Sequence, residues 1–248
     1  MGDPFNSLRL LPLEVNPGTL AMALDEVLLE NASSGQPALR FYQWSKPTVS
    51  LGYFQPFAVA SIFEGMDVVR RPTGGDLLIH HHELTYALAL PDASLPSRPE
   101  ELACLVHRVI AGVLASMGVP TACQPSKGKL QVPDAPEGIL CFLHPAAGDV
   151  LAGGFKVVGS AQRRRQGALL QHGSILLRAS EWAPWLKGVS DVAQANLTAL
   201  QLADILRLEI PKALGMAVTH SEWTESERNR AQHIAVTRYS SPAWNQRR

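Results

Sequence analysis

One thiol and one amine, Cys141 and Lys156, stand 15 residues apart in the segment richest in reactive and small side chains. A thiolate can attack a carbonyl and hold the acyl group as a thioester. An ammonium beside that carbonyl stabilises the oxyanion formed on attack. Lys156 lies in the run Gly153-Gly154-Phe155-Lys156-Val157-Val158-Gly159-Ser160-Ala161-Gln162, whose glycines let a substrate approach the backbone closely. A lysine entering an apolar strand needs a partner or a ligand, because an unpaired buried charge is expensive. Strand alternation places Val158 and Ser160 on the face of Lys156, and Val157 and Gly159 on the other. Cys104 falls in a helical pattern and reads as a small buried hydrophobe. Cys141 is set among Pro, Gly and His, with His144 three residues on as a candidate base.

Three further clusters carry charge or ligands. Arg70-Arg71-Pro72-Thr73-Gly74-Gly75 leaves a strand with two guanidiniums that can hold a carboxylate or phosphate, beside glycines that admit a ligand. His80-His81-His82-Glu83 invites a metal reading, but neighbours on a strand alternate faces and only His80 and His82 share one. No metal is expected there. Arg163-Arg164-Arg165 follows the Lys156 run and is suited to steering an acidic protein partner.

The elements that must position these residues are legible from periodicity. Residues 8–15 read as a short strand. Asn16-Pro17 supplies an N-cap and a proline at the first helical position of a helix to about Asn31, with Leu20, Ala23, Leu24, Val27 and Leu28 as its apolar stripe. Strands are predicted over 38–44, 47–53, 68–71, 77–80, 84–90, 139–142, 149–151, 156–163 and 168–177. A short helix is predicted over 56–63 and a long one over 99–118. Residues 124–138, rich in Pro, Gly and Lys, read as a long surface loop. The tail from about Leu197 reads as mostly helical, including 225–239. Strand groups alternate with helices without a regular βαβ rhythm, so the expected class is α+β.

Bulk composition narrows the partners. Lys+Arg and Asp+Glu both number 22 in 248 residues, so a broad basic surface for nucleic acid is not expected. Three widely spaced cysteines lack metal-ligand spacing and make no disulfide framework, which fits a reducing cytoplasm. The start Met-Gly-Asp-Pro-Phe-Asn lacks the pattern of a signal peptide, and no apolar run approaches the ~18 residues of a membrane span.

The ordered motifs resemble the biotin/lipoate protein ligase catalytic-domain superfamily, and within it the cysteine-dependent octanoyltransferases of lipoate assembly. The matching stretches are Ala21-Met22-Ala23-Leu24-Asp25-Glu26, Ser50-Leu51-Gly52-Tyr53-Phe54-Gln55, Arg70 to Gly75, His80 with Glu83-Leu84-Thr85-Tyr86, Lys156 to Gln162, Leu170-Gln171-His172-Gly173-Ser174 and Tyr239 to Asn245. The resemblance implies one catalytic domain over residues 1–248, a mainly antiparallel sheet flanked by helices and bent around an acyl tunnel. It implies that Lys156 contacts the acyl carbonyl and that Cys141, followed by Phe142, is the nucleophile. Arg70, Arg71, Thr73, Gly74, Gly75, His80, Gly159, Ser160, Ala161, Gln162, His172 and Gly173 become expected substrate-binding residues. The implied reaction moves octanoyl from acyl carrier protein to a lysine of a lipoyl-domain protein such as the glycine cleavage H protein, with no cofactor. An ATP-dependent lipoate–protein ligase would use Lys156 without Cys141, and a non-catalytic acyl- or carrier-binding module would bind carrier without turnover. Three positions depart from the pattern: Asp76 stands where glycine or arginine is usual, His81 where aspartate is, and Ala87 where serine is. Asp76 near a bound phosphate would be repulsive, which argues against adenylation.

Overall fold

The computed structural model describes residues 7–96, 98–132, 135 and 140–248. The apolar residues at the start split into two short strands, β1 (Ser7–Leu10) and β2 (Glu14–Asn16). Helix α1 (Gly18–Ser33) follows, with Pro17 as its extended N-cap, one position later than the sequence predicts. Next come β3 (Ala38–Trp44), β4 (Thr48–Leu51), β5 (Asp67–Arg70), β6 (Leu78–His80) and β7 (Glu83–Pro91). A 3₁₀ turn at Phe57–Ala60 replaces the short helix expected over 56–63. Beyond α2 (Pro99–Ser116) lie β8 (Thr121–Cys123), β9 (Val150–Ala152), β10 (Phe155–Arg165) and β11 (Ala168–Leu176). The chain ends with α3 (Val189–Ala193), α4 (Ala199–Leu214), β12 (Ala217–His220), α5 (Glu225–Ile234) and α6 (Pro242–Asn245).

Two expectations change. The strand predicted over 139–142 is absent from its described part: Leu140 makes an isolated parallel bridge to Leu77, and Cys141–Leu143 turn as a 3₁₀ helix. Ile139 lies outside the described residues. The loop predicted over 124–138 has no helix or strand over 124–132, while residues 133, 134 and 136–138 lie outside the described ones.

The main sheet runs β12-β1-β3-β7-β11-β10-β9-β8, with β2 also beside β3. Pairing is antiparallel from β3 through β8 and parallel among β12, β1, β2 and β3. The fold is therefore α+β with a mixed, mainly antiparallel sheet. Alternation along the central strands decides what covers each face. Leu84, Tyr86, Leu88 and Leu90 of β7 enter one core with α2 and α4. Ala87 and Ala89 enter the other with α1 and α5, where their small side chains let α1 approach. Each fully buried leucine contributes about 1.5–3 kcal/mol. A second sheet, β5-β4-β6, has its own core and stands over the α1 face of the main sheet, where His80 stacks on Trp44 with ring centroids 3.8 Å apart. The space left between the two sheets is the cavity described next.

Candidate functional site

Cys141 and Lys156 reach each other through two backbone devices. The first fixes the thiol: Cys141 N donates to Leu77 O at 3.0 Å, so the 3₁₀ turn is tied to the segment entering β6. The second is the β9–β10 hairpin, whose turn residues Gly153 and Gly154 have φ of 54° and 84°, a region glycine enters without strain. Lys156 then lies one residue into β10, and its Nζ is 3.6 Å from Cys141 Sγ and 3.3 Å from Cys141 O.

The alternation predicted for this strand is overturned. A bulge between Lys156 and Val158 shifts the register, and Val157 and Val158 both enter the α2–α4 core. Gly159, not Val158 or Ser160, faces the lysine: a Cβ there would meet Lys156 Cε at 2.5 Å. The missing side chain is the groove along which the ammonium reaches the thiol.

Asp149 was absent from the sequence expectations. Its Oδ2 is 2.7 Å from Lys156 Nζ, and both side chains are almost wholly buried. The signal was available: a buried lysine needs an anion, and the hairpin pairs Lys156 with Leu151, two residues from Asp149. Burial is the largest influence on Lys156 and works against its charge. The negative charges and hydrogen bonds of Cys141 and Asp149 outweigh it and hold the ammonium above its ordinary pKa. A permanently charged donor therefore faces the sulfur.

A partly open cavity of about 60 Å³ lies beside this pair. Met22, Trp44, Leu78 and Phe142 give it apolar walls, and Cys141, Gly74, Gly75 and Ala161 also line it. Gly75, at φ 90°, brings its carbonyl so close to Gly52 that a Cβ on Gly52 would lie 1.8 Å from it. Ser160 and Gly173 reach the cavity, yet the Ser160 side chain lies on the Tyr86 side of the sheet: a Cβ on Gly173 would meet Tyr86 Cε1 at 2.6 Å and Ser160 Cβ at 2.9 Å. Gln162 is outside the cavity wall and donates to Gln171, which donates in turn to the Tyr86 hydroxyl.

The two arginines serve the backbone. Arg70 is buried and donates to the carbonyls of Gly52, Gln55 and Asn245, so it does not face the cavity. Arg71 lines the cavity but donates to the carbonyls of Ser50, Gly74 and Asp76, which fixes the Gly74-Gly75 turn. Burial pushes its guanidinium down to about 10, against the pull of Cys141 and Asp76, so it stays charged near neutrality. Asp76 does not line the cavity. Its Oδ2 is 3.0 Å from His144 Nδ1, which links the glycine turn to the loop carrying Cys141. His144 is thereby placed outside the cavity wall as well.

Two histidines enter the wall, each wired to a carboxylate. His80 Nδ1 is 2.8 Å from Glu83 Oε1, and its Nε2 is 2.7 Å from Ser50 Oγ. Burial alone would raise Glu83, but His80 and the hydrogen bonds from His80, Thr85 and Ser174 bring it below the usual carboxylate value. His172 Nδ1 is 2.9 Å from Asp25 Oδ2, and its Nε2 is 2.7 Å from Thr73 Oγ1. His81, His82 and Glu181 cluster elsewhere. Their ligand atoms lie within 4.8 Å of one another, and the rings of His81 and His82 stack 3.6 Å apart rather than alternating faces as expected, because β6 ends at His80. Arg164 of the arginine run pairs with Asp92.

With this geometry in place, the comparisons are specific. A family model described as the lipoyl protein ligase A/B catalytic domain matches residues 17–199. An octanoyltransferase LipM of Symbiobacterium thermophilum is 33% identical, covering 97% of this chain and 98% of its own. A putative lipoate protein ligase of T. acidophilum superposes with a TM-score of 0.77 at 22% identity, over 98% of this chain and 100% of its own. A bipartite lipoate protein ligase from Thermoplasma acidophilum, described with its E2 lipoyl domain as an archaeal lipoylation system, gives 0.73 at 20% identity over 97% and 96%. At these identities the two structures establish the fold.

Proposed function

Because the chain belongs to the lipoyl protein ligase A/B catalytic-domain family, we propose that it is an octanoyltransferase working through an acyl-enzyme on Cys141. Octanoyl acyl carrier protein is the donor, and a lysine of a lipoyl-domain protein, such as the glycine cleavage H protein, is the acceptor. The reaction fits relatives named octanoyltransferase, and the acceptor class fits the ligase described with an E2 lipoyl domain. The observation that carries the reading is Cys141 Sγ at 3.6 Å from Lys156 Nζ on the wall of an apolar cavity.

The chemistry follows from that placement. Cys141 attacks the donor thioester, and the carbonyl oxygen gathers negative charge beside the Lys156 ammonium. Collapse expels the donor thiol and leaves octanoyl on sulfur. The acceptor amine then attacks this second thioester. A thioester donor is already activated, so no nucleotide is consumed. Seven or so methylenes in the cavity contribute roughly 5 kcal/mol of chain recognition at about 0.8 kcal/mol each. Among the described residues no helix is long and apolar enough to cross a membrane, and we assign the enzyme to the cytoplasm, where both protein partners would meet it.

The test is intact mass after incubation with octanoyl carrier protein. The parent protein gains one octanoyl group, and Cys141→Ser gains none and transfers none to the acceptor. Full transfer by Cys141→Ser would sink the covalent route. ATP-dependent lipoylation by that variant would replace it with the ligase reading.

A further inference from the structure

The second half of the reaction needs a base that Lys156 is poorly built to be. The acceptor lysine arrives as an ammonium, with a reference pKa of about 10.4, and must lose a proton before its nitrogen can attack. Lys156 is locked to Asp149 at 2.7 Å and held charged by that carboxylate and by Cys141. Three other groups near the cavity deserve comparison. His144 is paired with Asp76 and is not part of the wall. His80 is held by Ser50 and Glu83 much as His172 is held by Thr73 and Asp25, but its ring face is also covered by Trp44. His172 lines the wall on β11.

We propose that His172 is the general base that takes the proton of the acceptor lysine, with Asp25 as the positioning residue behind it. The inference rests on the octanoyl-transfer reading above. Asp25 is fully buried on α1, and a carboxylate only accepts hydrogen bonds. Its Oδ2 therefore accepts from Nδ1, which in the neutral imidazole fixes the Nδ1–H tautomer. That leaves the Nε2 lone pair on the side of Thr73, whose hydroxyl donates to it at 2.7 Å. Thr73 directly precedes Gly74 and Gly75, the bare stretch of cavity wall along which a lysine side chain can pass. The other charged and titratable groups here come from β3: Arg40 Nε is 3.0 Å from Asp25 Oδ1, and Tyr42 donates to Asp25 Oδ2 at 3.1 Å. Arg40 pairs with one Asp25 oxygen while the other orients the imidazole.

The ladder places this base near the thioester. Gly159, the groove for Lys156, pairs with Ser174, and His172 pairs with Ala161, two residues along the same face. Two residues on a strand span roughly 7 Å, room for an amine and the acyl carbon it attacks. The proton count closes. The acceptor ammonium gives one proton to Nε2, displacing the Thr73 hydroxyl. The C–N bond forms, the C–S bond breaks, and Cys141 leaves as a thiolate facing Lys156. The second nitrogen proton goes to that sulfur, and His172 returns its proton to solvent through the cavity.

Single-turnover kinetics on isolated acyl-enzyme test the assignment. For His172→Gln, formation of the octanoyl-Cys141 adduct should proceed, which also reports a folded site. Transfer to the lipoyl-domain lysine should fall by roughly 10²–10⁴-fold, the range for losing a general base. It should recover as pH is raised toward that of the free amine. Hydroxylamine, which is unprotonated at neutral pH, should strip the octanoyl group from variant and parent alike. Asp25→Asn should show the same split with smaller loss. Parental transfer by His172→Gln, or equal loss with lysine and hydroxylamine, would overturn the proposal. If the parent itself forms no adduct, the octanoyl-transfer reading fails instead.

Discussion

Lys156 carries its charge in a place that works against charge, and Asp149 is a main reason it can. The pair lies at 2.7 Å with side chains 3% and 6% exposed. A group whose pKa is raised on folding stabilises the protein below its unfolded value, about 10.4 for lysine, and that contribution fades as pH rises through the higher folded value. Replacing Asp149 removes one of the charges that lift Lys156 and leaves burial to depress it. Asp149→Asn is therefore expected to lose Lys156 charge at lower pH. The alkaline limb of the Cys141 acylation rate should move down in pH, and an unmoved limb would show that Asp149 does not govern the ammonium. Breaking a buried pair costs up to about 3–5 kcal/mol. At about 2–4 °C per kcal/mol for a chain of this size, a clear drop in melting temperature should accompany it. At this scale the sequence marked Cys141 and Lys156 and only implied that a buried lysine needs an anion, without saying which. Cys141 and Lys156 stand out by type and setting, while nothing in its type singles Asp149 out from the other acidic residues.

At the scale of elements, the site depends on backbone approaches that only glycine permits. Gly52 follows β4 and lies so close to the Gly75 carbonyl that a methyl group added at position 52 would overlap that oxygen. Gly52→Ala must push the glycine turn away from β4, which pulls Arg71 off the carbonyls of Gly74 and Asp76. The expected outcome is loss of acyl-enzyme formation with a lower melting temperature; intact-mass labelling and a thermal melt check both. Parental labelling would mean that the turn relaxes without disturbing Cys141. The long helix and the central strands were readable from pattern, because α2 repeats apolar residues at three and four positions and β7 alternates large and small apolar residues between the two cores. The bulge at Lys156–Val158 was not, since it inserts a position that strict alternation cannot anticipate. Nor was the 3₁₀ turn at Cys141, held by a bond to Leu77 from a segment 64 positions earlier. β8 and β12, three and four residues long and partly exposed, carry too little apolar pattern to announce themselves.

Across the whole molecule, the last residues brace the first half of the site. Asn245 Oδ1 accepts from Arg70 N, its carbonyl accepts from Arg70 Nε and Nη2, and Trp244 Nε1 donates to Arg70 O. Asn245 Nδ2 in turn donates to Tyr239 O. The C-terminal helix is thus fastened to the end of β5, where the chain enters the Arg71-to-Gly75 turn. Asn245→Ala leaves the Arg70 amide and the Tyr239 carbonyl short of partners, at about 1–3 kcal/mol for each buried group left unsatisfied. The melting temperature should fall by several degrees, given about 2–4 °C per kcal/mol, with a smaller decline in acylation. No change in either would show that the C-terminal helix does not brace the site.

The sequence by itself determined the candidate pair Cys141 and Lys156, the α+β class, the positions of the major helices and central strands, and the run of glycines around Lys156. These follow from residue type and from periods of two or about 3.6, which are local properties. The tertiary structure decided what those residues touch. It set Arg70 and Arg71 on backbone carbonyls while keeping Arg71 in the cavity wall, placed the Ser160 side chain on the Tyr86 side of the sheet and Gln162 outside the wall, and set Asp76 on His144. It also joined Thr73, His172 and Asp25 across separations of 99 and 147 residues. Period says which side of an element is buried, but the partner across a gap depends on which distant segments the core brings together.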